Sequence, residues 1–318
     1  MRIAWLVFLA ACGSDSAVGD AGDALVDARV VDAAAPVAAG CITEITSGDH
    51  TFTCGGLRVD MRIPEICEAP GCGLILELHG DTGSGLLMDG HTNLRALGEQ
   101  HGYIVIAPSG PPWPGGPGST WHASNDSTLI DLTTQVRDVF RVDPTKIHVT
   151  GFSRGSFVTW RLLCDHADLF ASAAPGGGGD GTDFGEATCF SNNRKPSRNL
   201  PILFLMGQKD ASVGYDSLVQ IRDAAVAAYQ LASKTTPDSD TTYHHDRWSG
   251  SSVSTVIETF DHGYSTDPTG PFGSAQGHCI PGSTSDPNAA QYAIPCKGPN
   301  SFVWGEQVMQ FFLAHPKA

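Results

Sequence analysis

The sequence predicts an α/β fold, a mostly parallel β-sheet with helices on both faces, entered through an antiparallel N-terminal hairpin. Two observations carry this. Apolar runs of strand length alternate with amphipathic helical patterns, and a stretch of period-two alternation precedes them. With 318 residues, 41% hydrophobic and 17% charged, and no interior linker or repeat, the chain suits one large domain over residues 41–318.

The hairpin comes first. Thr53, Leu57, Val59 and Met61 alternate around Gly55-Gly56 between residues 51 and 63. Mostly apolar runs at 73–79, 103–107, 146–150, 170–174, 201–206 and 254–260 then read as strands. Helical spacing joins Leu94 to Leu97; Leu129, Leu132, Val136, Val139 and Phe140; Leu218, Ile221 and Ala225; and Val308, Phe311 and Phe312. A sheet of this kind places its site at the carboxyl ends of its strands.

One such end carries chemistry. Residues 146–155 read K-I-H-V-T-G-F-S-R-G, a strand, a Gly-x-Ser-x-Gly turn and the start of a helix at 154–164 with Phe157, Trp160 and Cys164 on one face. Ser153 at the apex projects its hydroxyl, and Gly151 and Gly155 let strand and helix approach. A serine needs a base to remove its proton and a carboxylate to orient that base. Asp210 lies just past the strand at 201–206. Its rival Asp216 sits where it would cap a helix at 217–231. His278, after the last strand and beside Cys279, is the favoured base, with His262 at the end of that strand as the alternative. His315 is expected to pack on the terminal helix, and His244-His245-Asp246 to form a solvated loop, not a metal site. The oxyanion donors are expected from the Arg154 amide and from the Asp81 or Thr82 amide in the loop after the strand at 73–79.

The ends and the cysteines bear on location. Met1-Arg2, an apolar run to Ala11 and then Cys12 form an export signal of about nine apolar residues, too short to span a bilayer. The string Leu9-Ala10-Ala11-Cys12 resembles a bacterial lipobox. That resemblance implies cleavage after residues 1–11, lipidation of Cys12 and, with Gly13 next, an outer-membrane or cell-surface address. Residues 12–40 lack aromatics and read as a flexible Ala/Asp/Gly tether. Eight cysteines remain, an even number in an exported chain. Paired as sequential neighbours they give Cys41–Cys54, Cys67–Cys72, Cys164–Cys189 and Cys279–Cys296, each contributing ~2 to 4 kcal/mol, least for the shortest loop. No C-x-x-C spacing favours zinc, and no cofactor or metal is expected. The net charge of −15 argues against nucleic acid or polyanionic partners.

Four strings together resemble a known family. L-H-G at 78–80, V-D-P-T-K-I-H-V-T-G-F-S-R-G at 142–155, M-G-x-x-D at 206–210 and G-H-C-I-P-G at 277–282 are similar to the secreted esterases grouped as polyhydroxybutyrate depolymerase and feruloyl or acetylxylan esterase, within the α/β hydrolases. The resemblance spans residues 41 to 315 and implies an α/β-hydrolase fold with Ser153, Asp210 and His278 as its triad. Three positions depart from the family pattern. Asp81 follows His-Gly, Arg154 replaces a smaller residue, and Met206 stands where the family often has His. A carboxylate at Asp81 would repel an oxyanion if it turned inward.

The expected activity is serine carboxylic ester hydrolysis through an acyl-enzyme. Residues 109–125 form an aromatic, proline-rich loop whose Trp113 and Trp121 are expected to stack on sugar or phenolic rings, which suits feruloyl or acetyl esters of plant polysaccharide. The substrate is expected to be small or oligomeric, since no polymer-binding module follows His315, and the chain is expected to act as a monomer touching a membrane only through its lipid. Hydroxybutyrate polyester, a peptide substrate in the same fold, and an inactive glycan-binding lipoprotein are the alternatives.

Overall fold

Residues 35–114, 118–179, 189–190, 194–250, 255–270, 273–283 and 294–318 are described by a computed structural model of the chain. The expected hairpin forms as β1 (Gly48–Cys54) and β2 (Leu57–Ile63), paired antiparallel with Cys54 opposite Leu57. β2 then runs antiparallel to β4 (Tyr103–Ser109), which lies parallel to β3 (Gly73–Leu78). The parallel set continues through β5 (Ile147–Phe152), β6 (Ser172–Gly176), β7 (Ile202–Gly207) and β10 (Val256–His262). Two further strands, β9 (Tyr243–Ser249) and β8 (Ser233–Ser239), close the far edge antiparallel, giving the order β1-β2-β4-β3-β5-β6-β7-β10-β9-β8.

The period-two alternation inside the apolar strands sorts the core onto two faces. Leu74, Leu76, Leu78, Ile104, Ile106, Phe204 and Met206 face one helical layer, whereas Ile75, Tyr103, Val105, Leu203 and Leu205 face the other. The first layer holds α3 (Asp126–Phe140), α4 (Arg154–Asp165) and α5 (Tyr215–Ala228); the second holds α1 (Gly85–Thr92), α2 (Leu94–His101) and α6 (Trp304–Ala314). Every residue of α4 from Arg154 to Cys164 is buried, and Trp160 meets Phe204 of β7 edge-on at 5.3 Å between ring centroids. A helix buried all round is fixed in rotation, and so is the residue that begins it. The four expected disulfides are all present. Among the described residues no helix is long and apolar enough to cross a membrane.

Two expectations need correction. The segment holding His244, His245 and Asp246 is strand β9, not a solvated loop: His245 Nε2 lies 2.7 Å from Glu258 of β10, and Asp246 is buried. Its partner β8, S-K-T-T-P-D-S, is exposed along its whole length, so no apolar pattern could announce it. The helix expected at 217–231 begins earlier and ends earlier as α5, with Gly214 as its N-cap and Asp216 exposed in its first turn. The expected signal at 1–11, Cys12 and the tether up to residue 34 lie outside the described residues.

Candidate active site

Ser153 stands between β5 and α4 with φ 54° and ψ −119°, a left-handed conformation that a non-glycine residue adopts only under constraint. The constraint is local packing. A Cβ built on Gly155 would lie 2.1 Å from the Leu78 carbonyl oxygen, so only glycine there lets α4 start against the end of β3. The Ser153 amide donates to Gly176 O of β6 at 2.8 Å, which ties the apex to the neighbouring strand end. Arg154 is the first residue of α4, so its amide belongs to the helix turn with the positive dipole end.

The carboxylate and imidazole meet across two loops. Asp210 follows β7, and its Oδ2 lies 2.7 Å from His278 Nδ1; its Oδ1 accepts from the Ser212 and Val213 amides at 2.9 Å each. Burial pushes the Asp210 carboxyl up, but the His278 and amide hydrogen bonds outweigh it and hold it below the usual carboxylate range. An ionised carboxylate only accepts, so Nδ1 of His278 carries the proton and Nε2 is the nitrogen left for chemistry. The loops touch through Gly277, whose amide donates to Lys209 O at 2.9 Å and where a Cβ would come within 2.6 Å of the Asp210 nitrogen. The His278 ring sits 4.9 Å from that of Phe152, the residue before Ser153.

His262 is buried in β10 and stacks on Tyr264 at 5.5 Å; burial lowers its pKa to about 4. Both Asp210 oxygens are engaged elsewhere, so this imidazole lacks the orienting bond that His278 has. It forms a group with Cys279 and Cys296 at metal-ligand spacing, but those two sulfurs are joined to each other. His315 caps the terminal helix, its Nδ1 2.9 Å from Phe311 O.

The loop after β3 passes directly over Ser153: a Cβ on Gly80 would lie 3.1 Å from Ser153 Cβ. His79 holds this loop. Its Nε2 accepts from the Gly110 amide at 3.0 Å, so Nδ1 bears the proton and donates to Gly80 O at 2.6 Å. Burial brings the His79 pKa down to about 4, which keeps this arrangement in place near neutrality. Since the two ends of a trans peptide point opposite ways, a Gly80 carbonyl turned to His79 leaves the Asp81 N–H pointing away from it. The Asp81 carboxylate accepts from Thr120 Oγ1, and this bond draws it toward the 118–120 segment.

Trp121 departs from expectation. It is fully buried, donates from Nε1 to His79 O at 3.0 Å, and packs on the His79 ring, so no face is free to stack on a substrate. Arg154, the second departure from the family pattern, donates from Nε to Trp121 O at 2.8 Å. Its side chain braces the loop, and its charge is buried beside backbone carbonyl. Trp113 remains half-buried in the same loop, its amide donating to Gly118 O at 2.8 Å.

Beside Ser153 lies a small pocket of about 40 Å³ lined by the His79 to Gly83 loop, Leu87, Met88 and His91 of α1, Phe152, Ile280 and Ile294. The α1 residues were not singled out from sequence. This short helix contains Gly85 and Gly90 and shows little periodicity, and its clearest signal is the N-cap Ser84, whose Oγ accepts from the Leu87 amide.

An acetyl xylan esterase from Aspergillus awamori superposes on this chain with a TM-score of 0.55 at 18% identity, covering 68% of this chain and 94% of that one. This is an α/β-hydrolase fold. The chain is also similar in sequence to proteins named as esterases and as a depolymerase. It is 31% identical over 112 residues to acetylxylan esterase A of Aspergillus awamori, a match covering 32% of this chain and 36% of the relative. It is 27% identical over 137 residues to poly(3-hydroxyalkanoate) depolymerase C of Paucimonas lemoignei, covering 39% of this chain and 32% of the relative. The match thus spans about a third of the length of these curated relatives. No protein-family model matches the chain.

Proposed function

We propose that this chain is an exported serine carboxylic ester hydrolase acting through an acyl-enzyme. One observation carries the reading: Ser153, on a strained turn at the end of β5, stands beside Phe152, against which the buried His278 imidazole, bonded to Asp210, packs. Ser153 Oγ attacks the ester carbonyl as His278 Nε2 takes its proton. The tetrahedral oxyanion is held by the Arg154 and Asp81 amides, with Thr82 as the other candidate in that loop. Collapse expels the alcohol, which takes the proton from His278, and a water molecule then repeats the sequence to release the acid. Asp210, held ionised, orients the imidazole and stabilises its charged form.

The names of the relatives support short acyl esters of plant polysaccharide, acetyl or feruloyl, as substrates. The likeness to a poly(3-hydroxyalkanoate) depolymerase supports a second reading, hydroxybutyrate oligomers. Four disulfides and the N-terminal apolar segment ending at Cys12 support export with a lipid anchor, and a tether between anchor and catalytic domain.

The test is covalent. A fluorophosphonate probe should label Ser153 in the wild type, and Ser153→Ala should lose p-nitrophenyl acetate hydrolysis by about 10³-fold or more. Full activity in that variant would remove the assignment.

A further inference from the structure

The mechanism uses the amide of Asp81 and leaves its carboxylate without a role. The pocket beside Ser153 is floored by side chains that exclude solvent, His79, Met88, Phe152 and Ile280, each buried. Asp81 lines the same pocket but is only half-buried, which puts it at the mouth. It directly follows Gly80, the residue that passes over Ser153. Thr120 Oγ1 donates to its Oδ1, whereas Oδ2 accepts no hydrogen bond and forms no ion pair among the described residues. The segment that carries Thr120 is itself tied to the loop: Ser119 bridges to Gly83, its amide donating to Gly83 O at 3.1 Å. The carboxylate is thus held in place, and the Arg154 guanidinium, turned to the Trp121 carbonyl, makes no ion pair with it. A negative charge this close to a developing oxyanion raises the barrier for a neutral ester. That cost is offset when the substrate brings a positive charge of its own.

We propose that Asp81 is a specificity-determining residue that attracts a cationic group on the alcohol part of the ester, making this a hydrolase that prefers esters of quaternary-ammonium or amino alcohols over uncharged esters of the same shape. The small closed pocket takes a short acyl group such as acetyl, so the alcohol part extends through the mouth, where Asp81 stands. The proposal rests on Ser153 being the nucleophile. It concerns the half of the ester that the acyl readings leave open.

The experiment compares kcat/KM for acetylcholine and neohexyl acetate, which share the acetyl group and the shape of the alcohol and differ in a nitrogen cation against a neutral carbon. At low ionic strength the wild type is expected to favour acetylcholine about three- to tenfold, the worth of one unit charge partly screened by water. Asp81→Asn keeps the oxyanion amide and should bring the ratio close to one. Asp138→Asn, an equal change in net charge at an exposed position on α3, should leave the ratio as it is in the wild type. A wild-type ratio of one or below, an unchanged ratio in Asp81→Asn, or an equal fall in Asp138→Asn overturns the proposal. Because a ratio is read, a structural effect common to both esters cancels. Should Asp81→Asn not fold, inhibition of the wild type decides: choline must inhibit more tightly than neohexyl alcohol, and equal or weaker inhibition overturns the proposal. Fluorophosphonate labelling separates the two claims. Absent labelling at Ser153 sinks the esterase reading itself, whereas a labelled enzyme without the preference sinks only the role of Asp81.

Discussion

The two loop systems that meet at Ser153 are held in opposite ways. On the oxyanion side, residues 79–83 are held largely by side chains: His79 bonds Gly80 O and the Gly110 amide, Trp121 bonds His79 O, and Arg154 bonds Trp121 O. On the acid–base side, backbone does the holding. Gly277 bonds Lys209, His278 N bonds Ala275 O, Ala211 N bonds Ala275 O, and the Cys279–Cys296 bridge closes the segment behind. The difference follows from what each loop must present. The oxyanion side offers backbone amides, so side chains are free to brace it; the acid–base side offers side chains, so backbone and a covalent link must brace it.

The sharpest break in that comparison is Asp210→Asn. It leaves the loop backbone bonds intact but removes the charge that sets the His278 tautomer, and kcat should fall by about 10³- to 10⁴-fold with the fold unchanged by circular dichroism. A loss under tenfold would show that loop backbone, not the carboxylate, orients the ring. Next in size is the double change Cys279→Ser, Cys296→Ser. With a sequence separation of 17 this bridge should contribute about 3 kcal/mol by denaturant unfolding. The Cys67–Cys72 pair, separated by 5, should contribute less.

On the other side, His79→Leu removes both bonds that aim the Gly80–Asp81 peptide. We expect kcat to fall by about tenfold or more while KM changes little, since the oxyanion forms only in the transition state. A change in KM alone would place His79 in substrate binding instead. The smallest effect per unit of perturbation is acid. His79, His91 and His262 are pushed down to about 4 by burial, and His148, stacked on Phe312, to about 3. The unfolded chain then binds more protons than the folded one below pH 6.5. Stability is complete above that value and falls as pH drops toward 4. His148→Phe should flatten the fall in melting temperature measured between pH 6.5 and 4.5.

How far the molecule could be read from its residues differs along the chain. Residues 146–155 announce strand, elbow and helix because apolar period, glycine spacing and serine coincide within ten positions. Asp210 and His278 are 68 residues apart, yet each follows a strand end or a glycine loop, and strand order alone brings such ends to one rim. The β8–β9 pair was invisible for the opposite reason. A strand exposed along its whole length has no hydrophobic face to write into sequence, and β9 inherits its partner's polarity. Trp121 looked like a ligand platform because loops rich in tryptophan and proline often are; only packing shows both of its polar ends committed to His79 and Arg154.

By itself, then, the sequence determined the layered sheet, the order of the three candidate catalytic residues and the four bridges, because periodicity, turn chemistry and cysteine order are local or one-dimensional properties. Tertiary structure alone decided the direction of the Asp81 carboxylate, the bracing role of Arg154, the burial of Trp121 and the place of His91 in the pocket wall. Each of those depends on which groups meet across distant parts of the chain, and contacts of that kind leave no period in the sequence.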